Sequence, residues 1–221
     1  MEAFLTSVGL VTLGEMGDKT QLLALMLAVR FRRPCIIIAG ILAATLVNHT
    51  LAGLVGGWIR AALPADTLTW ILGIAFIAMG IWVLIPDKIE ESEQLKQSSL
   101  NTTGWKVFAI TLTTFFLAEM GDKTQLATVG LAARFDALFA VIAGTTAGML
   151  IADVPAVWVG HCVACKLPLK LIRSIAALFF VAVGIGTLYF GIPDQPEPPV
   201  SAASLLNTQS PKAPPFYLTS A

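Results

Sequence analysis

The heptapeptide EMGDKTQ occurs twice, at residues 15–21 and 119–125, and each copy lies inside a long apolar stretch. Each stretch approaches or exceeds the ~20 residues that an α-helix needs to cross a bilayer. Ionisable groups are costly at that depth, because a charge at the centre of a membrane helix costs roughly 2.5–3.5 kcal/mol on insertion scales. The fold must therefore give these side chains a partner or an aqueous path.

The rest of the chain is also typical of a membrane protein. Of 221 residues, 56% are hydrophobic and 13% are charged, whereas soluble domains are about 45–50% apolar and about 25% charged. The net charge of zero gives no indication of nucleic-acid binding. The first apolar stretch carries Glu2 where a signal peptide is positive, so we expect it to be retained. We predict transmembrane helices at residues 4–29, 35–58, 68–85, 107–133, 138–160 and 171–191.

The two halves of the chain are related by a gap-free repeat with an offset of 104 residues, from residue 15 to residue 119. LGEMGDKTQL aligns with LAEMGDKTQL, and Leu63-Pro64 aligns with Leu167-Pro168. Because each copy holds three helices, an odd number, the second copy must enter the membrane from the opposite side. We predict an all-α membrane protein with six transmembrane helices, arranged as two inverted-topology three-helix repeats. Transporters with such repeats bind their substrates near the midplane.

The repeat also sets the predicted domain boundaries. Residues 1–86 and 107–192 are the two repeats, 87–106 is a polar loop, and 193–221 is a tail with seven of the twelve prolines that we expect to be disordered. Nine Lys and Arg residues, Arg173 among them, fall on one side of the predicted membrane and three on the other. Basic loops stay in the cytoplasm, so we predict a cytoplasmic 87–106 loop and both termini outside. Cys162 and Cys165 form a CxxC without nearby partners, and we expect reduced thiols there.

The repeated motif has the chemistry of a cation site. In a continuous helix Glu15 and Asp18 share one face, while Gly17 allows either close helix approach or a local break that frees backbone carbonyls. Two motifs packed face to face combine four carboxylates and two lysines, a formal charge of −2. Carboxylate and amide oxygens are hard ligands, suited to Mn²⁺, Ca²⁺ or Mg²⁺. The predicted ligands are Glu15, Asp18, Gln21, Glu119, Asp122 and Gln125, supported by Gly17, Lys19, Thr20, Gly121, Lys123 and Thr124.

A purely structural interpretation of the motif is also open. Glu15 with Lys19, and Glu119 with Lys123, have the i,i+4 spacing of ion pairs within one helix. Such pairs would hold the bundle together without binding a substrate. The occurrence of two identical copies, each with an additional Asp and Gln, favours the cation site. The two lysines could tune its charge, compete with the metal or pair with the glutamates.

Further polar residues lie in the second and fifth predicted helices. Asn48 and His49 are near the centre of the second, and the repeat aligns His49 with Asp153 in the fifth. We predict either a proton relay through these residues, since the imidazole ordinarily changes charge near neutral pH, or hydrogen bonds that support the ligands. The third and sixth helices lack comparable groups and are predicted to form a scaffold packed at Gly73, Gly80, Gly184 and Gly186.

Two copies of E-x-G-D-K-T in a duplicated chain resemble the cation/proton antiporter family that includes human transmembrane protein 165, also called uncharacterised protein family 0016. The resemblance covers both repeats, about residues 4–191, and carries over to the motif residues named above. It implies export of manganese, and in some members calcium, from the cytoplasm in exchange for protons. The short chain looks like a bacterial-type member of the inner membrane. The expected partners are these cations, protons and membrane lipids, with no resident cofactor.

Three other functions are weighed against cation export. An exporter of small organic solutes, such as amino acids, would have a roomier cavity with neutral donors and would transport without manganese. A metal-dependent intramembrane enzyme would place arginines and a nucleophile at the acidic cluster, yet Arg30 and Arg134 fall at helix ends on opposite faces of the membrane. We therefore expect no enzymatic activity. A passive channel needs rapid release, which tight carboxylate pairs disfavour.

Overall fold

The computed structural model describes residues 1–85, 103–159 and 169–192, with the backbone alone for residues 159 and 169. The predicted tail at 193–221, most of the 87–106 loop, and Cys162 and Cys165 lie outside these ranges. Within them the regular secondary structure is helical. The helices are α1 Glu2–Glu15, α2 Lys19–Phe31, α3 Pro34–Ala62, α4 Ala65–Val83, α5 Gly104–Glu119, α6 Lys123–Arg134, α7 Leu138–Val159 and α8 Leu169–Phe190.

Four of these helices, α3, α4, α7 and α8, contain segments long and apolar enough to cross a membrane. Their ends agree to within four residues with the predicted helices at 35–58, 68–85, 138–160 and 171–191. The other four helices have only 14, 13, 16 and 12 residues. They join end to end, α1 to α2 and α5 to α6, at the EMGDKTQ motifs. The prediction of continuous helices at 4–29 and 107–133 is therefore wrong at the motif.

Each break is a tight turn with type II geometry. Met16 has φ −61° and ψ 111°, and Gly17 follows with φ 83°. The Asp18 N–H donates to the Glu15 carbonyl oxygen over 3.0 Å. A type II turn requires a positive φ at its third residue, which glycine adopts without steric cost. The second copy has the same features: Met120 (φ −66°, ψ 115°), Gly121 (φ 78°), and an Asp122 N–H to Glu119 carbonyl bond of 3.1 Å.

Helices at equivalent positions in the two repeats make equivalent contacts. The helix α1 packs on α7, and its counterpart α5 packs on α3, while α4 packs along its own counterpart α8. Glycines allow the close approach of α4 and α8: a Cβ on Gly184 would come within 2.8 Å of the Gly73 carbonyl oxygen, and one on Gly80 within 2.9 Å of the Ala177 carbonyl oxygen. Packing roles are thus confirmed for three of the four predicted glycines. Gly186 faces open space instead.

The α4–α8 pair departs from this symmetry. It contacts one half of each broken helix, with α8 on α1 and α4 on α6. Strict symmetry would add α8 on α2 and α4 on α5, and among the described residues these contacts are at most slight. The pair therefore leans toward the ends of the bundle that contain α1 and α6.

Two arginines hold the α6 end of the bundle. Arg60 of α3 is 6% exposed, and its Nη1 donates to the carbonyl oxygens of Ala133 over 3.2 Å and Arg134 over 2.9 Å. These bonds satisfy carbonyls that the end of α6 leaves without an intrahelical partner. Arg134 in turn donates to the Val183 carbonyl oxygen over 2.9 Å and to the Thr187 hydroxyl. These hydrogen bonds connect α3 to α6 and α6 to α8.

The turn geometry predicts the cost of adding a methyl group at Gly121. We expect Gly121→Ala to lower the free energy of unfolding by about 1–2 kcal/mol, because an L-residue is strained at positive φ, although the space around this glycine is open. Gly57→Ala in α3, with equally open surroundings, is the matched control and should be neutral or stabilising by up to about 1 kcal/mol. Thermal unfolding in detergent measures both. Equal losses would contradict a conformational role for Gly121.

Candidate cation-binding site

The two motif turns lie against each other and exchange ion pairs. Lys19 Nζ lies 3.2 Å from Asp122 Oδ1, and Lys123 Nζ lies 3.8 Å from Asp18 Oδ1. Each lysine therefore pairs with an aspartate of the other repeat. Because each motif is broken before its lysine, its glutamate and lysine are not on successive turns of one helix. The i,i+4 geometry of the structural interpretation does not exist here.

Three motif carboxylates form a compact group. Glu15, Asp18 and Asp122 each place one oxygen within 4.8 Å of the other two. Oxygen ligands at the 2.3–2.6 Å typical of Ca²⁺ can lie up to about 5 Å apart across one ion, so this group has the dimensions of a cation site. The three residues are 0%, 9% and 5% exposed, respectively. Glu119, 1% exposed, is buried at the motif but lies outside this group of three.

Threonine hydroxyls orient the two glutamates. Thr20 Oγ1 donates to Glu15 Oε2 over 2.6 Å, and Thr124 Oγ1 donates to Glu119 Oε2 over 3.0 Å. The other oxygen of each glutamate, like Asp122 Oδ2, is buried without a hydrogen-bond partner among the described residues. Buried acceptors are rarely left unsatisfied. These oxygens can accept a cation or a proton.

The motif glutamines brace their own turns. Gln21 Oε1 accepts the Gly17 N–H over 2.9 Å, and its Nε2 donates to the Ala152 carbonyl oxygen over 3.0 Å. Gln125 Oε1 accepts the Gly121 N–H over 2.6 Å. An amide oxygen has a second lone pair. Ligation by Gln21 and Gln125 therefore stays a prediction, while their role in closing the turns is a structural observation.

The three further polar residues predicted near the site, Asn48, His49 and Asp153, have different surroundings. Asp153 is fully buried, both its oxygens lack hydrogen-bond partners in the described chain, and its carboxylate interacts electrostatically with Glu15 and Glu119. Asn48 Nδ2 donates to the Phe116 carbonyl oxygen over 3.2 Å, one turn before Glu119. His49 is 1% exposed, and neither ring nitrogen has a hydrogen-bond partner among the described residues. The structure thus brings Asp153 to the motif carboxylates and Asn48 to α5.

One residue at the site was not predicted. Arg173 of α8 donates from Nη2 to the Gly17 carbonyl oxygen over 3.2 Å. Charge counting assigns this arginine to a membrane boundary, and the repeat alignment places Thr69 at the equivalent position. Neither signal indicates a contact with the motif, which depends on how α8 packs against α1.

Comparison with known proteins finds a family and several relatives. The family described as divalent cation/proton antiporter GDT1 matches residues 3–91 and 107–195, once per repeat. A Vibrio cholerae protein with the provisional name manganese exporter is 46% identical over 191 residues, covering 86% of this chain and 92% of that protein. A GDT1-like protein of Synechocystis is 29% identical over 195 residues, covering 81% and 93%. GDT1-like protein 5 of Arabidopsis thaliana is 28% identical over 221 residues, covering 85% and 96%. No solved structure matches the chain.

The crossed ion pairs predict energetic coupling between the repeats. In a double-mutant cycle with Lys19→Met and Asp122→Asn, we expect a coupling energy of about 0.5–3 kcal/mol, the range seen for contacting pairs. The same cycle with Lys19→Met and Glu15→Gln should give a smaller coupling energy, because these two residues are linked only through Asp122, which lies near both. Unfolding free energies in detergent supply the measurement. Stronger coupling within one motif than between motifs would contradict the crossed arrangement.

Proposed function

The chain belongs to the GDT1 family of divalent cation/proton antiporters, and we propose that it exports Mn²⁺ from the cytoplasm in exchange for protons, with Ca²⁺ as an alternative substrate. The observation that carries this proposal is the convergence of the two motifs, which groups carboxylates of Glu15, Asp18 and Asp122 from both repeats. The provisional name of the Vibrio cholerae relative favours manganese.

The ligand chemistry supports a hard divalent cation. The grouped oxygens are carboxylates, which suit Mn²⁺ and Ca²⁺ better than soft metals. The four motif carboxylates and two lysines sum to −2 when all are ionised, a charge that one divalent ion neutralises when the motif groups are counted without Asp153. Carboxylates that have released a cation can instead bind protons. The same oxygens thus serve both substrates in turn, as an antiporter requires.

The lysines of the motif give this exchange a structural basis. Lys19 and Lys123 each contact an aspartate of the other repeat. A cation that binds Asp18 and Asp122 competes with these ammonium groups for the same carboxylates. We therefore assign the two lysines to stabilising the aspartates between transport events. The sequence left three roles open for these lysines: tuning the charge of the site, competing with the metal, or pairing with the glutamates. The contacts with the aspartates favour competition with the metal.

We propose that each broken pair, α1–α2 and α5–α6, crosses the membrane once, giving six spans in two inverted repeats. The equivalent packing of α1 on α7 and α5 on α3 supports this arrangement. With both termini outside the cytoplasm of a bacterial inner membrane, α1 and α6 fall in the outer half and α2 and α5 in the inner half. The packing of α4 and α8 on α1 and α6 supports a proposed arrangement that is closed toward the outside and open toward the cytoplasm.

Residues beyond the motif have supporting roles in this proposal. Asp153 adds a fifth carboxylate to the electrostatic field at Glu15 and Glu119. Asn48 holds α5 through the Phe116 carbonyl oxygen. His49, at the position equivalent to Asp153, is assigned to supporting contacts or proton relay, the two roles predicted for it.

Transport in proteoliposomes tests the proposal. We expect Mn²⁺ influx to be coupled to counterflow of protons, measured with an internal metal indicator and an internal pH dye under an imposed pH gradient. Glu15→Gln and Glu119→Gln should each lower the exchange rate at least tenfold, because each replaces an ionisable carboxylate at the site with a neutral amide. Glu2→Gln, at the exposed start of α1, is the matched control and should exchange like the wild type.

The outcomes separate the competing functions. Exchange of Ca²⁺ alone would keep the antiporter and change its substrate. Cation-dependent proton movement that persists in full in both glutamine variants would contradict the site assignment. Transport of amino acids without any manganese dependence would replace the proposal with an organic-solute exporter.

A further inference from the structure

Arg173 reaches the α1–α2 turn from a separate helix. Its guanidinium donates to the carbonyl oxygen of Gly17 over 3.2 Å, and its side chain is partly buried. Gly17 lies between Glu15 and Asp18, two of the three grouped carboxylates. The arginine therefore places a permanent positive charge on the backbone oxygen of a residue that lies between two of the grouped carboxylates in sequence.

This contact exists in one repeat and has no counterpart from the equivalent position in the other. Thr69 of α4 aligns with Arg173, and its hydroxyl donates to the Ala65 carbonyl oxygen over 2.8 Å and accepts the Ile192 N–H over 3.2 Å. The Thr69 hydroxyl is thus used in hydrogen bonds near the start of α4 and the end of α8, whereas Arg173 lies near the start of α8. The two motif turns, alike in geometry and bracing, differ in the charge presented to them, so Arg173 acts on one of the two.

Arg173 lies at the end of the bundle that contains α2. The helix α8 packs on α1 and α4, while its contact with α2 is at most slight in the described chain. Arg173 precedes Phe179 and Phe180, which lie against Gly9 and Gly14 of α1, so it reaches the turn from the α2 end of the bundle. In the proposed orientation this is the cytoplasmic end, from which an exported cation approaches.

The chemistry of this contact is that of a substitute cation. Carbonyl oxygens of interrupted membrane helices coordinate ions in transporters, and a guanidinium bound to such an oxygen occupies the same lone pairs. We propose that Arg173 is a positioning residue that acts as a tethered cation: it occupies the Gly17 carbonyl before a divalent cation binds and competes with that cation for the site. This inference rests on the proposed function, because it presumes that the motif binds Mn²⁺ or Ca²⁺.

Equilibrium binding of Mn²⁺ to the purified full chain in detergent tests the competition. We expect Arg173→Ala to lower the Kd for Mn²⁺ by roughly 3- to 10-fold, the equivalent of one hydrogen bond of typical net strength that no longer opposes binding. Arg173→Lys keeps a charge and a donor and should stay close to the wild type. Lys170→Ala, an exposed residue of the same helix and charge, should change the Kd by less than about twofold, as expected for a solvent-screened charge.

The effect of free guanidinium on the Kd for Mn²⁺ distinguishes competition from a purely structural role of Arg173, which guanidinium in solution would not replace. Millimolar guanidinium chloride should raise the Kd of Arg173→Ala toward the wild-type value and leave Arg173→Lys unaffected. An unchanged or higher Kd in a folded Arg173→Ala variant would overturn the proposal, as would guanidinium having equal effects on both variants. Wild-type binding of Mn²⁺ without proton exchange in proteoliposomes would instead overturn the transport function alone. Absence of both Mn²⁺ and Ca²⁺ binding would overturn both.

Discussion

The crossed pairing of Lys19 with Asp122 and of Lys123 with Asp18 is the interaction on which the rest of this structure depends. Each repeat carries a lysine and an aspartate that pair with the other repeat, and a charge buried without a partner is costly. Placing the lysine of one repeat on the aspartate of the other makes the two halves mutually necessary. The duplication therefore supplies counter-charges for the ionisable groups of the two motifs.

The helix breaks determine which groups face the site. Because α1 and α5 end at the glutamates, their C-terminal carbonyls, the negative ends of the helix dipoles, lie beside Glu15 and Glu119. The N-termini of α2 and α6 begin directly after Asp18 and Asp122 and favour anionic carboxylates. A continuous helix would present neither end. The type II turn thus provides both carbonyl oxygens that attract a cation and amide dipoles that stabilise the aspartates.

Much of this arrangement follows from the sequence, and the exceptions have physical causes. The repeat, the four long helices and the chemical character of the motif residues are readable from pattern and composition. The helix break at the motif cannot be predicted in this way, because hydropathy does not report the backbone φ angle and Gly17 is compatible with both a helix and a turn. The bracing role of Gln21 depends on that break. Arg173 was unpredictable for a different reason: its contact is set by packing between α8 and α1, which no local pattern records.

The same geometry constrains how exchange could be coupled. Asp122 Oδ1 contacts Lys19 while Asp122 Oδ2 has no hydrogen-bond partner among the described residues, so an approaching cation meets one open oxygen before it must displace the ammonium group. Displacement then frees Lys19, whose side chain is 27% exposed, to find another acceptor or water. In the proposed function, cation binding and rearrangement of the bundle would be linked through this one carboxylate. Among the described residues the α4–α8 pair packs against α1 and α6, with at most slight contact to α2 and α5, so in the proposed function the rearrangement would carry the pair toward α2 and α5.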